Sequence, residues 1–489
     1  MSFVRPLVVV FVFFVACAEP DASRAAFVRG VMARADLTLL RTRPAHVAGK
    51  YARMSRGLYD FYRGTVPVFR ADFANGELPA SRTAFAVDDL LVLSTGDAHP
   101  ENFGLLLAGD RTLAIEPNDF DSADRYPYHW DLRRLATGLV IGVRLARPGD
   151  PETEGSVARA AALGYAAEVR RQATGYDRYR VETPGDVPHF ADLFRRGNRD
   201  LAARAELDEL TTVRDGWRRF VRGALFASEP EEVFLELPPF ARDALPAALE
   251  SARTSLVAPP PSSYFAIKDA VRQLGSGVAS WPRIRVLVLV EGASPSPDDD
   301  VVLEVKELSD SAAEGWILPR RYHDDVATRI RETSRAMWAR PDGEALWGTG
   351  VWLGLDVQVR LEAEAQKTLR VDRFEDELAE PDALFVLAER LGTLLARLHA
   401  TPTREESNPA ARIASRLEAS VAAFADEHAS ASVDYANQVE ADFSSWRRLV
   451  CADPTLGVRP NETDRPSDEV RAVLGEAVAP RFDFCGEEE

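Results

Sequence analysis

The sequence predicts an α+β fold in which mainly helical segments surround a block of strands. Three observations carry this. Segments before residue 84 and after residue 376 show helical periodicity. Between residues 270 and 308, three runs rich in Val, Ile and Leu are separated by turns bearing Gly, Ser and Pro, and read as a meander. Between the first helices and that meander, two short apolar runs each end in an acidic loop, Gly96-Asp97-Ala98-His99-Pro100-Glu101-Asn102 and Asn118-Asp119-Phe120-Asp121.

The 489 residues suffice for two or three domain-sized units. Apolar content of 46% and charged content of 28% are those of a soluble globular chain. The net charge of −18 argues against nucleic acid as a partner, because phosphate backbones demand clustered Lys and Arg.

Residues 1–22 read as a signal peptide with a lipobox. Arg5 precedes the apolar run from Leu7 to Val15, which is shorter than the ~20 residues that span a bilayer. Ala16-Cys17 follows, so Cys17 is the expected lipidation site. The localisation expected is an exported lipoprotein, membrane-anchored in a Gram-negative cell envelope; an ordinary secretory signal is the alternative. Acylation of Cys17 leaves Cys451 and Cys485, as a disulfide or as two free thiols. No Cys/His cluster has zinc spacing.

Residues 23–84 read as helical and include Phe61-Tyr62-Arg63-Gly64. In 85–260, a strand at Leu90–Leu93 delivers Asp97 and, five residues later, Asn102. A second strand, Thr112–Ile115, delivers Asp119. A helix carrying Leu132, Leu135, Leu139 and Val140 follows, then helices over 156–173 and 190–226. Pro259-Pro260-Pro261 marks a linker.

Region 261–375 reads as strands. Ala270–Leu274 leads through Gly275-Ser276-Gly277 to Arg283–Val290 and then to Val301–Leu308, which carries Lys306. A helix spans about Asp324–Trp338, and more strand lies near 351–361 and 368–374. Residues 376–450 are helical, with one helix ending at Leu398-His399-Ala400. Residues 451–489 read as a loosely packed acidic tail.

The two acidic loops form a kit for metal-assisted phosphoryl transfer. Hard cations take oxygen ligands, which Asn and Asp supply, and a carboxylate at the same mouth orients a hydroxyl. Taken alone, the Gly275–Gly277 turn is an ordinary hairpin and Lys306 a solvated strand residue. His99 and Asp131 read as structural, Asp131 as a support of the loop.

On these residues the chain resembles the protein kinase-like superfamily in its aminoglycoside-phosphotransferase style. The whole chain, over about residues 45–400, also resembles the bacterial DUF2252 family. The matching pieces are Phe61–Gly64, Gly96–Gly104, Asn118–Asp121, Trp130–Ala136 and Val305-Lys306-Glu307. The resemblance implies a two-lobe kinase-like fold with added helices. The segment 85–260 is then the larger lobe and 261–375 the strand lobe, in circularly permuted order, since Gly275, Gly277 and Lys306 follow the catalytic loop. It implies that Asp97 acts on the acceptor hydroxyl, that Asn102 and Asp119 hold Mg²⁺, and that Lys306 meets the phosphates of ATP. It also implies that Glu332 pairs with Lys306, Glu307 being a weaker candidate, and that Gly275 and Gly277 admit the phosphates to the backbone.

The function expected is a Mg²⁺-dependent phosphotransferase acting on an unidentified small-molecule or protein hydroxyl. The alternatives are a catalytically inactive kinase-like binding lipoprotein, and a metal-dependent phosphoesterase. The last class needs further His ligands and an Asn-His motif; none of the seven histidines follows an Asn.

The leader has a direct test. Cys17→Ser is expected to move the protein into the soluble fraction or leave it unprocessed, because stable anchoring needs more than one acyl chain. Fractionation and migration identical to the parent would contradict lipidation.

Overall fold

A computed structural model describes residues 22–486 apart from 77, 225–231, 311–320, 363–364, 372–373, 375, 419, 462–463, 465 and 476–481. The leader and Cys17 lie outside the described residues. Five helices come first: α1 (Ala22–Ala35), α2 (Leu37–Thr42), α3 (Pro44–Met54), α4 (Leu58–Gly64) and α5 (Val66–Asn75). Pro44 and Pro67 occupy first turns, where a missing N–H has no intrahelical partner to lose.

Strands β1 (Leu91–Ser94), β2 (Phe103–Leu107), β3 (Leu113–Pro117) and β4 (Asp124–Pro127) carry the two acidic loops. β1 pairs antiparallel with β4, and β2 with β3. Helices α6 (Tyr128–Ala146), α7 (Pro151–Ala173), α8 (Pro188–Ala203) and α9 (Ala205–Leu210) follow. Asp150 caps α7 by accepting from the Thr153 N–H.

Next come β5 (Thr211–Arg214), β6 (Trp217–Phe220), β7 (Gly223–Ala224), β8 (Val233–Glu236), α10 (Pro239–Thr254), β9 (Ile267–Leu274), β10 (Arg285–Val290), β11 (Val301–Glu307), α11 (Val326–Met337), β12 (Gly348–Trp352), β13 (Leu355–Leu361) and β14 (Lys367–Thr368). Helices α12 (Pro381–His399), α13 (Pro409–Leu417), α14 (Val421–Ala452) and α15 (Asp468–Leu474) complete the described chain.

One antiparallel sheet of seven strands runs β12-β13-β11-β10-β9-β8-β7. The period-2 alternation of strands decides what each face does. Val286, Val288, Leu303 and Val305 face α10 and pack on its Ala241, Leu245, Ala248 and Leu249. On the other face, Leu287, Leu289 and Val302 pack with Leu207, Phe220 and Phe234. Further along that second face the residues turn charged, at Arg285, Glu304 and Lys306. This charged end roofs the cleft described below.

The helical core gathers α6, α7, α12 and α14 with the N-terminal helices. The α7–α12 crossing is close: a Cβ on Gly392 would lie 2.0 Å from the Ala161 carbonyl oxygen, and one on Gly164 2.1 Å from that of Glu389. Only glycine permits that approach.

Three expectations change. The helix expected over 190–226 ends at Leu210, and a β5–β6 hairpin follows. Asp215 and Gly216, at φ 52° and 79°, form its turn, the combination that two-residue hairpins favour. The triple proline does not separate a strand region from what precedes it, since β7, β8 and α10 already belong to the seven-stranded sheet or pack on it. Of the strand expected over 368–374, Lys367–Thr368 pairs with Leu105 and Gly104 of β2.

The C-terminal segment is also less loose than expected. Val470, Val473 and Leu474 of α15 are buried against the sheet's core, and Cys451 and Cys485 form a disulfide. The bridge closes a separation of 34 residues, which in the chain-entropy account stabilises by about 3–4 kcal/mol. Cys485→Ser is expected to lower the unfolding free energy by about that amount in urea titrations, with dithiothreitol reproducing the loss in the parent. A parent indifferent to reductant would contradict a structural role for the bridge.

Candidate functional site

The loop after β1 is fixed before it reaches Asp97. Gly96 has φ 73°, and a Cβ there would meet the Ser122 carbonyl oxygen at 2.2 Å. The Thr95 N–H and Oγ1 both donate to Asp131 Oδ2, at 3.0 and 3.2 Å. His399 Nε2 lies 3.3 Å from the same oxygen, and Tyr165 Oη is 2.8 Å from His399 Nδ1. One helical turn beyond Asp131, Arg134 donates from Nε to Asp97 Oδ1 at 2.7 Å and from Nη2 to the Tyr62 carbonyl at 2.7 Å. Helix α6 therefore supports the loop with two side chains three positions apart, which share a helix face.

The Asp97 carbonyl accepts from the His99 N–H at 2.9 Å and from Asn102 Nδ2 at 2.6 Å. The Asn118 N–H in turn donates to the Asn102 carbonyl at 3.1 Å, which ties the two acidic loops together. Asp119 Oδ1 accepts from the Asp121 N–H at 2.9 Å. Asp121 Oδ2 receives both Lys306 Nζ and Arg283 Nη1, each at 2.7 Å.

These residues line one cavity of about 370 Å³. Asp97, Asn102, Asp119 and Asp121 form its floor. Arg285, Glu304, Lys306 and Arg360 face them from the sheet, Gly277 and Arg283 from the β9–β10 connection, and Lys50, Arg63 and Arg70 come from the N-terminal helices. Arg63 Nη1 is 2.9 Å from Glu101 Oε2, and Arg70 Nη2 donates to the Gly96 carbonyl at 3.3 Å.

Charge is uneven in the cavity. Burial raises the Asp119 carboxyl above its usual range, and the negative charges of Asp121 and Asp97 raise it further, against Lys306. Burial would also raise Asp121, but Lys306 and Arg283 outweigh it and hold that carboxyl down at about 2. Burial, with the charges of Arg63 and Arg134, keeps the His99 imidazole well below its normal pKa. His99 Nε2 lies 3.7 Å from Asp97 Oδ2, and among the described residues its Nδ1 has no hydrogen-bond partner.

Of the residues singled out in the sequence, Asp97, Asn102, Asp119, Gly277 and Lys306 meet in this cavity. Gly275, at φ 79°, opens the turn but does not line it. The expected pair of Lys306 with Glu332 is not formed, because Asp121 takes its place at Lys306. Glu332 is instead 3.1 Å from Arg331 Nε on the outer side of α11. That helix docks through Arg329, whose Nε donates to the Ala123 carbonyl at 2.9 Å. Glu307 points to the other side of its strand and accepts from Arg43 and from the Ile284 N–H. Asp121, Arg283, Arg285, Glu304 and Arg360 went unmarked in the sequence. The second Asp of Asn-Asp-Phe-Asp, and the spacing of Glu304 from Lys306 on one strand, were the available signals. Among the described residues, no group of three or more His, Cys, Asp or Glu is arranged to hold a metal ion.

A family model described as "Uncharacterized protein conserved in bacteria (DUF2252)" matches residues 41–449. No curated protein and no solved structure matches the chain.

Asp121→Asn replaces the buried carboxylate that holds both Lys306 and Arg283 with a neutral amide. It is expected to lower stability at pH 7 by about 3–5 kcal/mol in urea titrations. Because this carboxyl is depressed in the folded state, its contribution is full above pH ~4 and is lost as pH falls toward 2. The deficit of the variant should shrink over that range; a deficit independent of pH would contradict an ion-paired Asp121.

Proposed function

The chain belongs to the DUF2252 family, and we propose that its cleft is a Mg²⁺-dependent phosphoryl-transfer site of the protein-kinase kind, with the strand lobe permuted to follow the catalytic loop. One observation carries this reading. A single cavity joins Asp97, Asn102 and Asp119 to Lys306, a lysine 185 positions beyond the Asp121 that it contacts.

The residues fit the metal that the reading requires. Asn102 and Asp119 would hold Mg²⁺ through oxygen, its preferred donor. Burial, and after it the crowding of Asp121 and Asp97, raises the Asp119 carboxyl, which marks a place where a cation relieves repulsion. Mg²⁺ keeps several waters and completes its shell with substrate phosphates, so two protein ligands suffice. When bound, the ion neutralises charge on the phosphate oxygens.

The chain's own residues supply the rest. Arg134 holds Asp97 Oδ1, which leaves Oδ2 to accept the proton of an acceptor hydroxyl. Lys306 and Arg283 neutralise the phosphates, and both are prepositioned by Asp121. ATP is the donor that the kinase reading suggests first. The acceptor hydroxyl enters beside Asp97, under the wall made by Arg63 and Arg70. The Cys451–Cys485 disulfide supports an oxidising, extracytoplasmic location. Among the described residues no helix is long and apolar enough to cross a membrane.

Thermal denaturation tests the metal–phosphate site without knowledge of the acceptor. With Mg²⁺, a phosphate donor at a hundred times its Kd should stabilise the parent by about 2.7 kcal/mol, and Asp119→Ala should abolish the gain. Equal stabilisation of parent and variant would contradict the reading.

A further inference from the structure

The roof of the cleft is unlike a surface that holds a nucleobase. Arg285 lies directly opposite Lys306 in the β10–β11 pairing, and Glu304 opposite Arg360 in the β11–β13 pairing. Directly opposite residues project to the same face, so four charged side chains tile this end of the sheet. They are engaged with one another and with their surroundings. Arg285 Nε is 2.9 Å from Glu304 Oε2, and Arg360 donates to both oxygens of Glu344 at 2.6 and 3.0 Å.

The apolar residues of the same face do not reach the cleft. Leu287, Leu289 and Val302 are buried with Phe220 and Phe234 in a separate cluster. Among the described residues no Phe, Tyr or Trp lines the cavity, and its apolar lining is aliphatic, at Leu39, Val66, Leu105, Leu106 and Val278. Sites for drug-sized organic ligands are lined mainly by apolar and aromatic groups, and bases bind by stacking. A base laid on this roof would desolvate ion pairs without offering them new partners. The phosphate-binding part is supplied by Lys306 and Arg283, which line the cavity and are both held at its floor by Asp121.

Building on the phosphoryl-transfer reading, we infer that the donor is a condensed inorganic phosphate, recognised by its phosphate chain alone. In the transfer, the acceptor hydroxyl oxygen bonds to the terminal phosphorus and its proton passes to Asp97. The bridging P–O bond breaks, and its electron pair leaves on the shortened phosphate chain. No oxidant or reductant is needed. Arginine suits such a donor because its planar fork pairs with two phosphate oxygens at once.

Isothermal titration of the purified protein with Mg²⁺-tripolyphosphate, Mg²⁺-ATP and adenosine tests this. Tripolyphosphate and ATP should bind within about threefold of each other, and adenosine should neither bind nor compete. Arg283→Gln, with folding checked by its melting curve, should weaken both phosphate compounds by a similar factor, about tenfold. ATP binding more than about tenfold tighter than tripolyphosphate, or adenosine competing with ATP, would overturn this inference and leave the phosphoryl-transfer reading standing. Absence of binding by both phosphate compounds would overturn that reading, and this inference with it.

Discussion

The geometry of the cleft depends on one carboxylate. Asp121 holds Lys306 from the middle of the sheet and Arg283 from the turn before β10, each at 2.7 Å. Its backbone N–H meanwhile fixes the neighbouring Asp119. The floor and the roof therefore meet at Asp121. A buried ion cluster of this kind adds little net stability over apolar packing, yet losing one member is costly because the others stay buried without compensation. It persuades the chain toward one arrangement of its parts. Helix α3 and Arg43 just before it reinforce the same junction. Arg43 pairs with Glu307 on β11, and Gly49 lets Trp281 approach so closely that a Cβ would lie 2.2 Å from its indole nitrogen.

The acidic loop of Asp97 is held by a different means. Asp131 and Arg134 reach it from α6, a helix buried along nearly its whole length and therefore stiff. One side chain accepts the loop's backbone N–H, and the other donates to its carboxylate. Groups that must keep a carboxylate aimed are best carried on such an element, with their own partners fixed in turn. Asp131 is so fixed, through His399 and Tyr165.

Much of this was legible in the sequence. Short apolar runs ending in Gly-Asp and Asn-Asp placed β1 and β3, and the Val- and Leu-rich runs placed β9, β10 and β11 as successive neighbours. Asp97, Asn102 and Asp119 were marked by residue type and spacing, and Lys306 by the family resemblance. The partner of Lys306 was not, because a salt bridge between segments 185 positions apart leaves no local pattern. Glu332 sits on the expected helix but on its outward side. The β5–β6 hairpin was missed although Asp215-Gly216 is a strong turn signal, since the helical periodicity running up to Leu210 overshadowed it. The C-terminal helix was obscured by polar composition, and its docking rests on three apolar residues, Val470, Val473 and Leu474.

The cleft departs from the rest of the chain in charge. Among the described residues its lining sets eight lysines and arginines against seven carboxylates, in a protein whose net charge is −18. The proposed polyanionic ligand and hard cation would draw on that contrast. The most direct measurement is a crystal structure of the protein grown with Mn²⁺ in place of Mg²⁺ and tripolyphosphate, with the manganese located by its anomalous scattering. A single strong peak is expected at about 2.0–2.2 Å from oxygens of Asn102 and Asp119, with phosphate oxygens completing its shell and Lys306 reaching them. A peak elsewhere on the protein, or none in the cleft, would contradict that placement.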